Sequence, residues 1–387
     1  MKNFKLVKEQ FIKELNTLAK LYIHTPTGAE FLSLTNDDEN KCFGVAFKTP
    51  PNDSTGVAHI LEHTVLCGSK KYPVKDPFVQ LLKGSLQTFL NAFTYPDKTC
   101  YPVASQNLKD FYNLTDVYLD SVFFPLITED FFKQEGWHYH LQNISDPLEY
   151  KGVVYNEMKG VYSSADSVLM ETSQQSLFPD ITYGLDSGGK PEKIPDLTYQ
   201  KFKKFHESYY HPSNARFVFY GDDPESKRFD ILEEYLKLFS RITPTSDVMI
   251  QPAFISPIRV SKPFPVSESE KNPKPMFTIN WALPSSTNID HIFLFTVIDY
   301  ILLGSPASPL RKALIESGLG EDITGGGLET HLQQMFFSVG LKGVEESNLD
   351  KAETLILQTL EDLIKNTINK NDIDAAIGDI KVLFTMK

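Results

Sequence analysis

Residues 58–67, AHILEHTVLC, constrain this chain more than any other stretch. They carry His59-Ile60-Leu61-Glu62-His63 together with the apolar Val65 and Leu66, with no Pro or Gly inside the run and Gly56 just before it. The pattern predicts a largely buried helix. Residues three and four apart share a helix face, so His59, Glu62 and His63 project into one space. Buried polar groups need partners. A fold for this chain must therefore place polar groups or a cation opposite that face. Two neutral imidazoles on adjacent turns make half of a Zn2+ site. A carboxylate beside them can take a proton from a water that the metal holds. The other reading of these residues is a buried helix with hydrogen-bonded histidines, or a structural metal site.

The rest of the composition narrows the class. The 387 residues suffice for two or three domains. A net charge of −12 disfavours nucleic acid as a partner, because phosphate binding needs a basic surface. An acidic cavity would favour cationic substrates. No apolar run is long enough to span a bilayer, so no membrane partner is expected. The opening MKNFKLVKEQFIKELNTL mixes acids and bases, unlike a secretory signal or an Arg-rich transit peptide. Cys42, Cys67 and Cys100 are widely spaced and odd in number, which predicts reduced, packed thiols in a cytoplasmic or similarly reducing compartment such as an organelle matrix.

Along the chain, residues 5–20 read as a polar, mildly amphipathic helix or arm. Thr25-Pro26-Thr27-Gly28 is a turn, and residues 31–34 and 42–48 are strands joined by a polar loop at 36–40. Asp76-Pro77 starts a helix after the histidine motif, with Asp76 as its cap. Residues 89–103 read as a strand pair around Tyr95-Pro96-Asp97-Lys98. An amphipathic helix over 106–122 directs Leu108, Phe111, Tyr112, Thr115, Tyr118, Leu119 and Val122 to the core. Thr128 caps a further helix. Within the stretch 149–165, Val153, Asn156, Glu157, Gly160 and Val161 lie on one helical stripe. A carboxylate on such a stripe asks for a counter-charge. Spacing alone leaves Glu157 open between a metal ligand and a surface glutamate.

Residues 226–240 predict another helix, and residues 243–275, rich in Pro, Ser and charge, a linker. The expected division is a catalytic zinc-binding domain at 1–245, a linker at 246–275 and a second, non-metal-binding domain at 276–387, incomplete at its end. The second part repeats strand, helix, loop, strand, helix, with strands at 276–283 and 334–343, and with Gly325-Gly326-Gly327 in a flexible loop that lacks the Lys-Ser/Thr of a phosphate cradle. Where the first part has its histidine motif, the second has Asp290-His291-Ile292-Phe293-Leu294, so no second metal site is expected. His138 and His140, two apart, could bind metal on a strand face, but the favoured reading is packing or support of a neighbouring ligand.

Four segments in order, GVAHILEHTVLCGSKKYPVKDPF, LNAFTYPDKTCYPV, EGWHYH and GVVYNEMKGVYSS, resemble the pitrilysin/insulysin-type inverted-zincin metallopeptidases, in their presequence protease, falcilysin-like branch. The resemblance covers most of residues 20–240 and continues more weakly. It implies an α+β fold of two related units here, with mostly antiparallel sheets flanked by helices. It implies one Zn2+ per chain, held by His59, His63 and Glu157, with Glu62 as general base. It implies that Leu90, Asn91, Ala92 and Phe93 form an edge strand that pairs with substrate backbone, which favours extended peptide with loose side-chain specificity. The family has four such units closing a chamber around short unfolded peptides. This chain has about two, so a C-terminal half or a second chain is the expected partner, and the family's distal Arg and Tyr contacts have no counterpart here. The implied activity is zinc-dependent endoproteolysis of short unstructured peptides, as in oligopeptide degradation by presequence proteases. The alternative is a non-catalytic scaffold subunit of a related assembly, against which the intact motif argues.

Overall fold

A computed structural model describes residues 2–385 except Asp76, Glu268 and Glu270, so the expected cap at Asp76 lies outside the described residues. Contacts group the chain into two units, Met1–Lys159 with Leu185–Val248, and Gly160–Gly184 with Met249–Lys387. This grouping differs from the division at 1–245, 246–275 and 276–387 by assigning residues 160–184 and 249–275 to the second unit.

The first unit begins with a hairpin where a helix or arm was expected. Strand β1 (Phe4–Ile12) pairs with β2 (Thr17–His24) through a turn that holds Asn16 at φ 45°. The two form one margin of the sheet, and most of β1 is exposed on both faces. An edge strand that buries neither face carries no apolar alternation, and its lysines suit an exposed edge. That is why its period misled.

Strands β3 (Glu30–Thr35) and β4 (Lys41–Lys48) follow as expected. Helices α1 (Val57–Val65) and α2 (Pro77–Gly84) come next, then the short β5 (Gln87–Leu90) and β6 (Phe93–Thr94), and β7 (Lys98–Ser105). Helices α3 (Leu108–Phe123) and α4 (Glu129–Glu135) lead to a separate hairpin of β8 (His138–His140) and β9 (Glu149–Lys151). Helix α5 (Val153–Val161) follows it; α6 (Ala165–Leu177) belongs to the second unit. Helix α7 (Tyr199–Tyr209), β10 (Ala215–Gly221) and α8 (Glu225–Leu236) complete the first unit.

The main sheet runs β1-β2-β3-β10-β4-β7-β5, with β6 also on β7. Its pairings are antiparallel except β10 with β3. Alternation places Phe43, Val45 and Phe47 of β4 and Phe217 and Phe219 of β10 inside. Helix α3 packs on β7 and β4 and buries Phe111, Leu114, Tyr118 and Val122, while Leu108, expected in the core, is exposed. Each fully buried side chain of this kind contributes roughly 1.5–3 kcal/mol. Asn107 and Thr128 cap α3 and α4 through their side chains.

Among the described residues, one ion pair is fully buried. Arg228 on α8 donates to both carboxylate oxygens of Asp223, to Ser33 Oγ of β3 and to the Gly221 carbonyl at the end of β10. The fork of the guanidinium matches these converging acceptors.

The second unit has a three-stranded antiparallel sheet in the order β11 (Phe277–Ser285), β13 (Gln334–Lys342), β12 (Asp322–Glu329). Helices α9 (Ile289–Leu303), α10 (Pro309–Glu316) and α11 (Leu349–Asn366) supply its core, in which Leu310, Val339, Val344, Ala352 and Ile356 are fully buried. Helix α12 (Lys370–Thr385) adds Ala376 and Ile380 to Val297 and Ile301 of α9. Gly325 and Gly327 are in β12 rather than in a loop. Their φ values of +89° and +66° fall where the register shifts between Thr324 and Gly327, the mark of a bulge.

Candidate metal centre

Helix α1 presents the motif by burying its other faces. Ala58, Ile60, Leu61 and Val65 are fully buried, and the helix packs against α4, α7 and β6. The chain enters α1 through Gly56 at φ +71°, where a Cβ would stand 2.6 Å from the Gly188 carbonyl oxygen. Only glycine meets both demands.

His59 and His63 lie on one face with ring centroids 5.0 Å apart. Glu157 reaches them from α5. Its Oε2 is 3.6 Å from His59 Nε2 and 3.8 Å from His63 Nε2. One ligand atom from each of the three residues lies within 4.8 Å of the others, the one such group of His, Cys, Asp or Glu among the described residues. The anchoring face of α5 differs from the expected stripe. Val154 and Met158 are buried, whereas Val153 is exposed and the Glu157 side chain is half exposed.

The outer nitrogens of both imidazoles are occupied. His59 Nδ1 donates to the Gly188 carbonyl at 3.2 Å. Asp186 Oδ1 shapes that loop by accepting from the Gly188 and Gly189 amides. His63 Nδ1 faces Glu135 Oε2 at 3.2 Å, and Glu135 Oε1 accepts from Gln134 Nε2 at 2.8 Å and from Cys67 Sγ at 3.7 Å. An imidazole whose Nδ1 donates keeps its Nε2 lone pair for a metal. Burial would lower the pKa of His63, but the Glu135 hydrogen bond and the charges of Glu62, Glu135 and Glu157 raise it overall. Burial would raise Glu135, and its bonds to His63 and Gln134 bring it below the usual range. Two imidazole nitrogens, each with its ring held through Nδ1, converge with a carboxylate oxygen, a donor set that fits Zn2+.

Glu62 lies outside this trio. It is 9% exposed, and its Oε2 accepts a 2.6 Å hydrogen bond from Thr94 Oγ1. The stretch Leu90–Phe93 differs from a continuous edge strand. β5 ends at Leu90, β6 starts at Phe93, and Asn91 and Ala92 form a break between them. Tyr118 Oη donates to the Asn91 carbonyl, and the Ala92 amide donates to Asn91 Oδ1. His138 and His140 are not in the metal-type group; His138 Nδ1 donates to the Lys133 carbonyl.

Sequence reasoning missed Glu135, Gly188 and Thr94. Glu135 opens the EGWHYH segment and Thr94 ends LNAFT, so both sat inside stretches already singled out. Their partners, however, come from distant parts of the chain.

Two family models match the chain: insulinase (peptidase family M16) over residues 49–150 and the peptidase M16 inactive domain over 196–378. His59, Glu62 and His63 fall in the first match, and Glu157 falls between the two. The chain is 52% identical over 384 residues to presequence protease 1, chloroplastic/mitochondrial, of Arabidopsis thaliana, covering 98% of this chain and 36% of that protein. It is 45% identical over 382 residues to protein HypA of Clostridium perfringens, covering 98% and 39%. It is 41% identical over 378 residues to the mitochondrial presequence protease of Xenopus laevis, covering 96% and 37%. The chain thus spans little more than a third of the length of these relatives. Among solved structures, its fold is similar to pitrilysin, with TM-score 0.68 at 18% identity over 96% of this chain and 39% of that one. It is also similar to a peptidase M16 inactive domain from Pseudomonas fluorescens, with TM-score 0.73 at 14% identity over 98% and 84%.

Proposed function

From the premise that the chain belongs to the M16 peptidase family, we propose that it carries the metal ligands and general base of a zinc-dependent endopeptidase acting on short unstructured peptides. The observation that carries this reading is the convergence of His59 Nε2, His63 Nε2 and Glu157 Oε2 beside a buried glutamate that is not one of them. When bound, Zn2+ supplies Lewis acidity to the scissile carbonyl and acidifies water. His59, His63 and Glu157 hold it. Gly188 and Glu135 keep the two rings oriented. The Glu62 carboxylate takes the proton of the attacking water and returns it to the leaving amine. Residues 90–93, at the sheet's margin, receive an extended peptide backbone.

The partner is a further lobe, supplied by the rest of a longer protein or by a second chain. The relatives' length supports this. The names of the Arabidopsis and Xenopus relatives refer to organelle proteases, and a reducing organelle matrix suits three cysteines outside any disulfide as well as a cytoplasm does. The scaffold reading has less support, because every donor of the proposed centre is intact.

Elemental analysis and a fluorogenic peptide assay test the proposal together. Zinc is expected at one ion per chain, with cleavage abolished by chelation and by Glu62→Gln. A chain that binds no zinc would sink the catalytic reading.

A further inference from the structure

The hydrogen bond from Thr94 to Glu62 crosses from the sheet margin to the metal helix. Thr94 is held firmly on its own side. It pairs with Thr99 of β7, whose hydroxyl is 2.7 Å from Thr49 Oγ1, and the next amide, of Tyr95, donates to the Lys98 carbonyl. Glu62 is surrounded by groups with other bonds. Tyr101, Tyr118 and Tyr210 lie near enough to sense its charge, yet Tyr101 and Tyr210 bond each other and Tyr118 bonds the Asn91 carbonyl. The Thr94 hydroxyl is thus the donor that fixes one oxygen of a buried carboxylate.

We propose that Thr94 is a positioning residue for Glu62: its hydroxyl pins Oε2, so that Oε1 is the oxygen that moves the proton. Because Thr94 directly follows residues 90–93, the margin segment that would receive substrate also sets the orientation of the base. This rests on the peptidase reading above. A base whose carboxylate can rotate spends less time aligned with the water, so losing the pin lowers turnover rather than binding.

Thr94→Val removes the donor and keeps the shape; Thr94→Ser keeps the donor. In the zinc-loaded full gene product, Thr94→Val is expected to lower kcat about 10–100-fold, the usual effect of an outer-shell partner. KM and zinc affinity should stay unchanged, and Thr94→Ser should restore most of kcat. The metal-free chain gives a readout independent of activity. Thr94→Val should lower the urea midpoint when Glu62 is present and leave it unchanged in a Glu62→Ala background. Wild-type kcat in Thr94→Val, or equal midpoint shifts in both backgrounds, overturns the proposal. A wild-type full gene product that binds zinc but cleaves no peptide overturns the peptidase reading instead, and the midpoint comparison then decides whether Thr94 holds Glu62.

Discussion

His63 Nδ1 lies 3.2 Å from Glu135 Oε2, although 72 residues separate them in the chain. The contact joins the metal helix α1 to the end of α4, and Glu135 is almost fully buried. Removing one partner of such a pair leaves the other desolvated.

Glu135→Gln is therefore expected to weaken zinc binding about 10–100-fold without changing the ligand set. A competition titration against a chelator checks this. An unchanged zinc affinity would mean that Glu135 does not orient His63.

The same pair gives the metal-free chain a pH signature. His63 is raised above its ordinary 6.5, so its contribution is present below that value and lost as pH rises through the folded pKa. Glu135 is lowered below its ordinary 4.5, so its contribution is present above that value and lost as pH falls through the folded pKa. The stabilisation of wild type over Glu135→Gln should then be largest between about pH 4.5 and 6.5, in urea midpoints measured without metal. Zinc binding should run the other way and weaken as pH falls, because ligands must shed their protons.

His206 supplies a second, opposite case. Burial lowers it to about 4, and its Nε2 donates to the Val122 carbonyl at 2.9 Å. The unfolded chain takes up a proton near pH 6.5 that the folded chain refuses until about pH 4. Stability is therefore lost as pH falls through that window, by on the order of 3 kcal/mol. His206→Gln should flatten the acid limb between these values. An unaltered limb would show that His206 is not the group responsible.

The buried Arg228–Asp223 pair makes a prediction about stability alone. Arg228→Met leaves the buried Asp223 carboxylate without its cation, although Tyr112 Oη still donates to it, strips Ser33 Oγ and the Gly221 carbonyl of the guanidinium donor, and should cost about 3–5 kcal/mol. Zinc stoichiometry should persist in whatever fraction remains folded. Denaturant unfolding checks the size of the effect.

These residues also mark how far the sequence could be read. His59, Glu62 and His63 were legible because helical periodicity alone puts them on one face. Glu157 was not, because only tertiary packing carries α5 to α1, and its helix is anchored by Val154 and Met158 rather than by the stripe that includes Val153. Resemblance to a family supplied its expected role as a ligand; spacing did not. The hairpin β1–β2 was hidden because an edge strand exposed on both faces has no alternation. The strand through Gly325 and Gly327 was hidden because a bulge admits glycines that otherwise signal a loop. Thr94 and Glu135 each depend on a partner that no local pattern names.

The roles within the centre separate by substitution. His63→Ala should lose the metal. Glu157→Gln should weaken zinc binding, because an amide oxygen is a poorer ligand than a carboxylate. Glu62→Gln should keep both the metal and the fold and lose cleavage, because the amide cannot accept a proton. Zinc release by Glu62→Gln but not by Glu157→Gln would reverse the two assignments.

The last prediction concerns the rest of the chamber. A peptidase site must hold its substrate on both sides and exclude water around the polarised carbonyl. Residues 1–387 include the proposed ligands, the proposed base and the sheet margin at Leu90–Phe93, and they span 36–39% of the length of the three relatives above. The proposed further lobe would supply the remaining substrate contacts. Losing one oxyanion donor typically costs about 10²–10³ in rate. The 387-residue chain alone is therefore expected to bind zinc yet cleave a short fluorogenic peptide very poorly. Adding the distal half in trans should restore cleavage with a concentration dependence that reports the affinity between the parts. Full activity from the monomeric chain by itself would instead establish a single-lobed peptidase, and the need for a second wall would fall.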